Sequence, residues 1–268
     1  MRIWHQSMTE LDRFPVYRAA LQEHVDRVAG PDTEVVLHGV APGTYGAAAP
    51  AHVLVYPALF HQALSPVLPL FRQAEEEGYD AIAISSYSEP FLREARSMLD
   101  IPVASMAEST LLLGCSVARL SGLVTISAEV AWMARRIVAS HDLQNRVAGV
   151  WTIDPPLTEE QLSRAFAEPD VVLTAVRRAV DEAIAAGADV IIPAEGVIAE
   201  LLVAQGVTEI DGVCVMDSIG AVVLHAQMLA TLRTRTGLHP GRRWHFPKPP
   251  IELLRQLDEG RTGAPTVG

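Results

Sequence analysis

One segment occurs twice in this chain, and each copy delivers polar groups to the end of a short apolar run. The first copy reads Gly78-Tyr-Asp-Ala-Ile-Ala-Ile-Ser-Ser86-Tyr-Ser-Glu-Pro-Phe-Leu, and the second reads Gly187-Ala-Asp-Val-Ile-Ile-Pro-Ala-Glu195-Gly-Val-Ile-Ala-Glu-Leu. The two align without a gap. In each, an Ala/Glu-rich helical run stops at Gly, Asp opens a buried-type strand, and small or polar residues precede the next helix. The interval from Gly78 to Gly187 equals that from Ser86 to Glu195, so the register sets Ser86 opposite Glu195. If the two halves face each other, these side chains flank one pocket.

The repeat extends further. Leu99-Asp-Ile-Pro-Val-Ala-Ser105 matches Ile210-Asp-Gly-Val-Cys-Val-Met216, and Arg2–Trp4 has a counterpart in Gly122–Val124. Short apolar runs near residues 34–39, 81–84, 102–104, 122–126, 147–153, 190–193 and 213–216 alternate with helical stretches. Such alternation predicts an α/β fold with parallel sheets. The expected organisation is two pseudo-symmetric lobes, each a short parallel sheet flanked by helices. Lobe one takes residues 1–105, lobe two takes 106–216, and a final long helix from Asp217 returns to cover lobe one with the tail to 268. Ligands of such sheets bind beyond the carboxyl ends of the strands, which puts the active site in the cleft between the lobes.

With 268 residues, 49% of them hydrophobic, the chain can build two lobes with real cores. The net charge of −11 and the lack of any Lys/Arg run beyond short pairs make nucleic acid and anionic membranes poor partners. No apolar run approaches the ~18–20 residues of a membrane span, and the start lacks a secretory pattern, so a cytoplasmic protein is expected. Cys115 and Cys214 both read as small core residues. The Pro- and Gly-rich tail after Gly237 is expected to wrap the surface, with a helical piece near Ile251–Leu257 and mobile residues from Thr262 to Gly268.

Several chemistries lack their motifs. There is no phosphate loop, G-x-G-x-x-G, H-E-x-x-H, paired C-x-x-C or G-x-S-x-G, and no two His stand at a metal-ligand spacing. Neither metal nor cofactor is expected. What remains is polar residues at strand ends: His5, Gln6, Ser7, Ser86, Tyr87 and Ser88 in lobe one, then Thr125, Ser127, Glu195, Gly196 and Asp217 in lobe two. Small hydroxyls and backbone N–H groups at helix N-termini can hold a small carboxylate or amide substrate. The same residues also make good helix caps, Ser86 or Ser88 before a helix from Glu89 and Asp217 before the last one. Glu195, between an apolar strand and Gly196, is a half-buried carboxylate of raised pKa suited to proton transfer, unless it merely caps the helix. Loops at 42–51, 53–64 and 153–156 are expected to supply the remaining pocket walls, with Tyr45, Tyr56 and His61 packing against them.

The two Gly-x-Asp copies, the run Asp100-Ile-Pro-Val-Ala-Ser-Met-Ala-Glu-Ser109 and the Val-x-Val-x-Asp segment ending at Asp217 resemble the aspartate/glutamate/hydantoin racemase superfamily. The resemblance covers about residues 1–235. It implies a cofactor-independent site between two lobes, and a homo-oligomer. Family members carry a cysteine in each lobe that acts on opposite faces of the substrate carbon; those positions fall on Ser86 and Glu195 here. Glu195 can replace a thiol as a carboxylate acid or base, whereas a serine needs an activating neighbour.

Three readings stay open. One is an isomerase in which Glu195 moves the proton on one face while Ser86, Tyr87 or water serves the other. Another is a hydrolase or lyase with Glu195 as general base for water or Ser86, and an oxyanion site near Tyr87 and Ser127. The third is a binding protein for small carboxylates.

Overall fold

The computed structural model describes residues 1–157, 159–254 and 256. Strands β1 (Arg2–Ser7), β2 (Glu34–His38), β3 (Ala81–Ser85) and β4 (Val103–Ser105) form one parallel sheet in the order β2-β1-β3-β4. Strands β5 (Ser121–Thr125), β6 (Val147–Thr152), β7 (Val190–Pro193), β8 (Glu209–Ile210) and β9 (Val213–Val215) form a second, in the order β6-β5-β7-β9-β8. Among the described residues, only the two-residue β8 runs antiparallel. With β8 set aside, the second sheet repeats the order of the first.

Helices among the described residues surround these sheets: α1 (Pro15–Ala29), α2 (Pro50–Leu54), α3 (Pro57–Leu64), α4 (Val67–Glu76), α5 (Leu92–Met98), α6 (Met106–Val117), α7 (Ala128–Ser140), α8 (Glu159–Arg164), α9 (Pro169–Ala185), α10 (Gly196–Ala204) and α11 (Ser218–Thr236). Helix cover on both faces explains why β3 and β7 are buried along their whole length and read as unbroken apolar runs.

The period of two along each strand divides the core. Trp4, Ile82 and Ile84 pack outward with Phe71 and Leu99, and Val124 and Ile191 do the same in the second sheet with Val176 and Val180. Ile3, Ala81 and Ala83 turn inward and join Leu21, Met106, Leu123, Ile192, Ile219 and Val222 in a cluster that crosses from one sheet to the other. Burying one such large side chain contributes roughly 1.5–3 kcal/mol, so this shared layer holds the two sheets in a fixed relation. Helix α11, which follows β9, packs on α1, α6, β3 and β4.

Several expectations need correction. β1 continues to Ser7, so His5 and Gln6 lie inside the strand rather than after it. The ladders set Ile3 beside Ala81 and Ser121 beside Val190, so the counterpart of Arg2–Trp4 lies two residues before the expected Gly122–Val124. The segments 42–51 and 53–64 are not plain loops, because Pro50 and Pro57 open α2 and α3 at the helix position where a missing N–H costs nothing. The helix expected from Glu89 starts only at Leu92, since Glu89 (φ 46°) and Phe91 (φ 57°) adopt left-handed backbone. Cys214 is exposed and Cys115 half-buried, because β9 is flanked by the short β8 and Cys214 turns away from the core. Residues 251–254 are helical. Thr158, Leu257 and the segment Thr262–Gly268 lie outside the described residues.

Candidate active site

The carboxyl ends of β1, β3, β5 and β7 converge on one cavity of about 110 Å³. The first sheet contributes Ser7, Met8 and Thr9 from the end of β1 and Ser85, Ser86, Tyr87 and Ser88 from the end of β3. The second contributes Ile126, Val130 and Met133 beyond β5, and Ala194, Glu195, Gly196 and Val197 beyond β7. Tyr17 of α1 closes one side. Pro50, Ala51, Leu54 and Val55 of α2 and its end close another, with Ala51 and Val55 packed against the core of the second sheet.

Glu195 is the N-cap of α10, and its Oε2 accepts the Ile198 N–H at 2.8 Å. It caps the helix and still lines the cavity, so the capping bond does not withdraw it from the site. Protein atoms crowd the carboxyl group, and what surface it keeps is reached through the cavity. This burial raises its pKa above the ordinary 4.5, and the backbone N–H groups of Ile198, Val197 and Gly196 hold the rise back. Tyr17, with its hydroxyl beside Gly196, is driven upward by burial and by the charges of Glu195 and Glu200, and stays a neutral phenol.

Ser86 lines the same cavity from the end of β3. Its Oγ lies 2.9 Å from Ser88 Oγ and receives the Ser88 N–H at 3.4 Å. The Glu89 N–H donates to Ser86 O at 3.2 Å, which folds the loop into a tight turn. Ser86 and Ser88 therefore do not cap α5, whose N-cap is the left-handed Phe91 without a side-chain bond. Burial raises the phenol of Tyr87.

Other expected residues sit elsewhere. Gln6 is buried behind the site, accepting from Trp4 Nε1 at 2.9 Å and donating to Ser7 O at 3.0 Å. His5 is fully buried without a partner for either ring nitrogen among the described residues, and burial lowers its pKa to about 4, which keeps it neutral. Thr125 Oγ1 donates to Ala194 O at 3.4 Å, tying β5 to the end of β7. Ser127 caps α7 through the Val130 N–H at 3.3 Å. Asp217 caps α11 through the Gly220 N–H at 2.7 Å and turns its other oxygen to His24 Nε2 at 2.8 Å. None of these five lines the cavity, because inward strand positions and capping turns direct them into protein. Tyr45 donates to Met8 O at 2.5 Å and packs behind the cavity, while Tyr56 and His61 are exposed.

No Arg, Lys or His is among the described residues lining the cavity. The helix N-terminus that could have held a substrate anion, that of α10, is already occupied by the Glu195 carboxylate. No group of three potential metal ligands converges among the described residues, and no described helix is long and apolar enough to cross a membrane. The cavity thus combines one carboxylate of raised pKa, the hydroxyl-bearing residues Ser7, Thr9, Tyr17, Ser85, Ser86, Tyr87 and Ser88, and apolar walls.

Two parallel sheets of matching order, with one shared pocket at their carboxyl ends, define a two-lobed α/β enzyme fold. The chain belongs to the Asp/Glu/Hydantoin racemase family, whose sequence profile matches residues 16–226. Its fold is similar to that of the allantoin racemase from Klebsiella pneumoniae, with a TM-score of 0.74 and 21% identity over 93% of this chain and 94% of that one. The allantoin racemase from Pseudomonas fluorescens gives a TM-score of 0.72 at 20% identity, covering 93% and 97% of the two chains. In sequence, the chain is 34% identical over 86 residues to a hydantoin racemase from Pseudomonas sp. (strain NS671). That match spans 32% of this chain and 34% of the relative.

Proposed function

We propose that this protein is a cofactor-independent isomerase that moves a proton at a carbon of a small uncharged amide or ureide, of hydantoin type, with Glu195 as the proton-transferring group. The observation that carries the reading is a half-buried carboxylate of raised pKa in a cavity without any cationic side chain among its described lining residues. A substrate carboxylate there would meet Glu195 with no counter-charge, at a desolvation cost of several kcal/mol. A neutral amide ring offers carbonyl and N–H groups that the serine and threonine hydroxyls can satisfy.

Charge balance favours the same reading. Ionised Glu195 takes the proton from carbon and becomes neutral as the substrate becomes an enolate, so the cavity holds one negative charge throughout. The Ser86 hydroxyl then gives its proton to the opposite face and is refilled through Ser88 from water. The hydroxide equivalent left behind is neutralised by the proton on Glu195, which restores the carboxylate. Positioned proton transfer of this kind contributes typically ~10²–10⁴-fold in rate. The family membership, with thiol positions falling on Ser86 and Glu195, supports the same assignment.

The test is polarimetry on single enantiomers of a 5-substituted hydantoin, of glutamate and of aspartate, side by side. Enzyme-dependent loss of rotation with the hydantoin and none with the amino acids is expected. Racemisation of the amino acids alone would overturn the assignment of an uncharged substrate, and ring opening without racemisation would move the protein to the hydrolases.

A further inference from the structure

The turn that presents Ser86 and Ser88 is continued by Glu89, and Glu89 is tied to both halves of the molecule. Its Oε1 accepts the Glu108 N–H at 2.9 Å, at the start of α6, and also the Ser105 hydroxyl at the end of β4. Its Oε2 lies 2.7 Å from Nε2 of His141, the C-cap residue of α7 in the second lobe's layer. Glu89 is a non-glycine residue at φ 46°, a backbone state that persists only where the surroundings enforce it. The enforcing contacts are these three bonds, and His141 is the one among them that comes from the far end of α7, beyond β5 of the second sheet.

We propose that His141 is a positioning residue for the Ser86–Ser88 hydroxyl pair, acting through Glu89. The inference rests on the assignment of Ser86 to proton transfer. Glu89 is one residue beyond Ser88 and three beyond Ser86, whose carbonyl accepts the Glu89 N–H. The Glu89 carboxylate thus anchors the end of the turn, and the Glu89 N–H carries that anchor back to Ser86 O, so release of the carboxylate by His141 loosens the turn that presents both hydroxyls. His141 and Glu89 line no part of the cavity, so the effect on chemistry is indirect.

The charged groups facing His141 set its pH behaviour. Glu89 comes from the β3–α5 turn, Glu108 Oε1 of α6 stands 4.0 Å from Nδ1, and Arg96 of α5 holds Glu108 at 2.9 Å. His225 of α11 faces Glu108 in turn and is occupied by the Ser109 hydroxyl at 2.7 Å. The two carboxylates raise the pKa of His141 above 6.5, against burial and Arg96, and its place at a helix C-terminus favours the cation further. The clamp is complete below pH 6.5 and loosens as pH rises through the raised value. Deprotonation leaves the Nδ1 lone pair facing Glu108.

Hydrogen–deuterium exchange of the full chain tests this without any substrate. The amides of Ser88, Glu89 and Leu92 bond within the turn and report its state. In the wild type, their protection, corrected for intrinsic rate, should fall about tenfold once pH passes the His141 pKa by one unit. His141→Gln should lose that protection at every pH, and His141→Lys, which stays charged, should keep it at high pH. In hydantoin racemisation, His141→Gln should lower kcat with little change in KM. A His141→Gln protein that is folded by thermal melt and matches the wild-type protection profile at all pH values overturns the proposal. If His141→Gln does not fold, a flat wild-type profile overturns it equally. Lack of turnover on any neutral amide would sink the isomerase reading and leave the exchange result standing.

Discussion

Ser86 and Glu195 stand just past the carboxyl ends of β3 and β7, corresponding strands of two separate sheets, and line the same cavity. On the proposed reading, a substrate between them would present one face to a hydroxyl and the other to a carboxylate. That asymmetry follows from two unlike residues in a repeated segment. Under the proposed isomerase reading, the two faces of the reaction should therefore differ in their chemistry and respond differently to mutation.

Ser86→Ala removes the group opposite the carboxylate while leaving Ser88 in place 2.9 Å from the vacated oxygen position. Racemisation should fall roughly 10²-fold, the low end for general acid catalysis, because water can take the hydroxyl's place. Ser86→Cys should restore or exceed the wild-type rate, since a thiol ionises far more readily than a serine hydroxyl. Initial rates by polarimetry on the same hydantoin compare the three proteins.

The acid limb of the rate profile reports Glu195. Burial holds its pKa above 4.5, and the proton-abstracting form is the carboxylate, so kcat/KM should decline as pH falls through that raised value. The same group adds a stability term of opposite sense. A buried carboxyl with raised pKa stabilises the fold while protonated and loses that contribution as pH rises through its folded value.

His24 joins α1 to α10 and to the start of α11. Its Nδ1 lies 2.7 Å from Glu200 Oε2 and its Nε2 2.8 Å from Asp217 Oδ2, with His24 and Glu200 side chains almost wholly buried. The two carboxylates lift its pKa to about 9 against the effect of burial. A folded pKa above the ordinary 6.5 means that the contribution is complete below pH 6.5 and is lost as pH rises through about 9. His24→Ala leaves the Glu200 carboxylate buried without its cation and should cost roughly 3–5 kcal/mol, toward the lower end because Asp217 keeps solvent contact. Thermal melts at pH 6 and pH 10 check both statements, and the gap between wild type and variant should shrink at the higher pH.

Much of this arrangement is legible in the sequence. The strand-to-strand interval that sets Ser86 against Glu195 comes from the repeat, and the β3 and β7 runs are apolar throughout because both faces are covered. Side-chain direction is harder to read. Thr125 and Asp217 sit at or near strand ends as expected and His5 lies inside β1, yet an inward position or a capping bond turns each away from the cavity. Tyr17 carries no local signal, since it lies in an ordinary helix and reaches the site only through the packing of α1 on α10. The α2 wall was open to a closer reading, for Pro50 and Pro57 mark two helix starts. The left-handed Glu89 and Phe91 follow from long-range bonds such as that to His141, which no local pattern encodes.

The most direct test of Glu195 as the proton-transferring group is wash-in of solvent deuterium at the C5 position of a 5-substituted hydantoin, followed by proton NMR in D2O for wild type and Glu195→Gln. Glutamine retains an acceptor oxygen for the Ile198 N–H, so the variant should stay folded at a cost of about 1 kcal/mol. Wild-type protein should exchange the C5 proton without new products, and Glu195→Gln should slow that exchange by roughly 10²–10⁴-fold. Exchange at the wild-type rate in a folded Glu195→Gln protein would contradict the assignment.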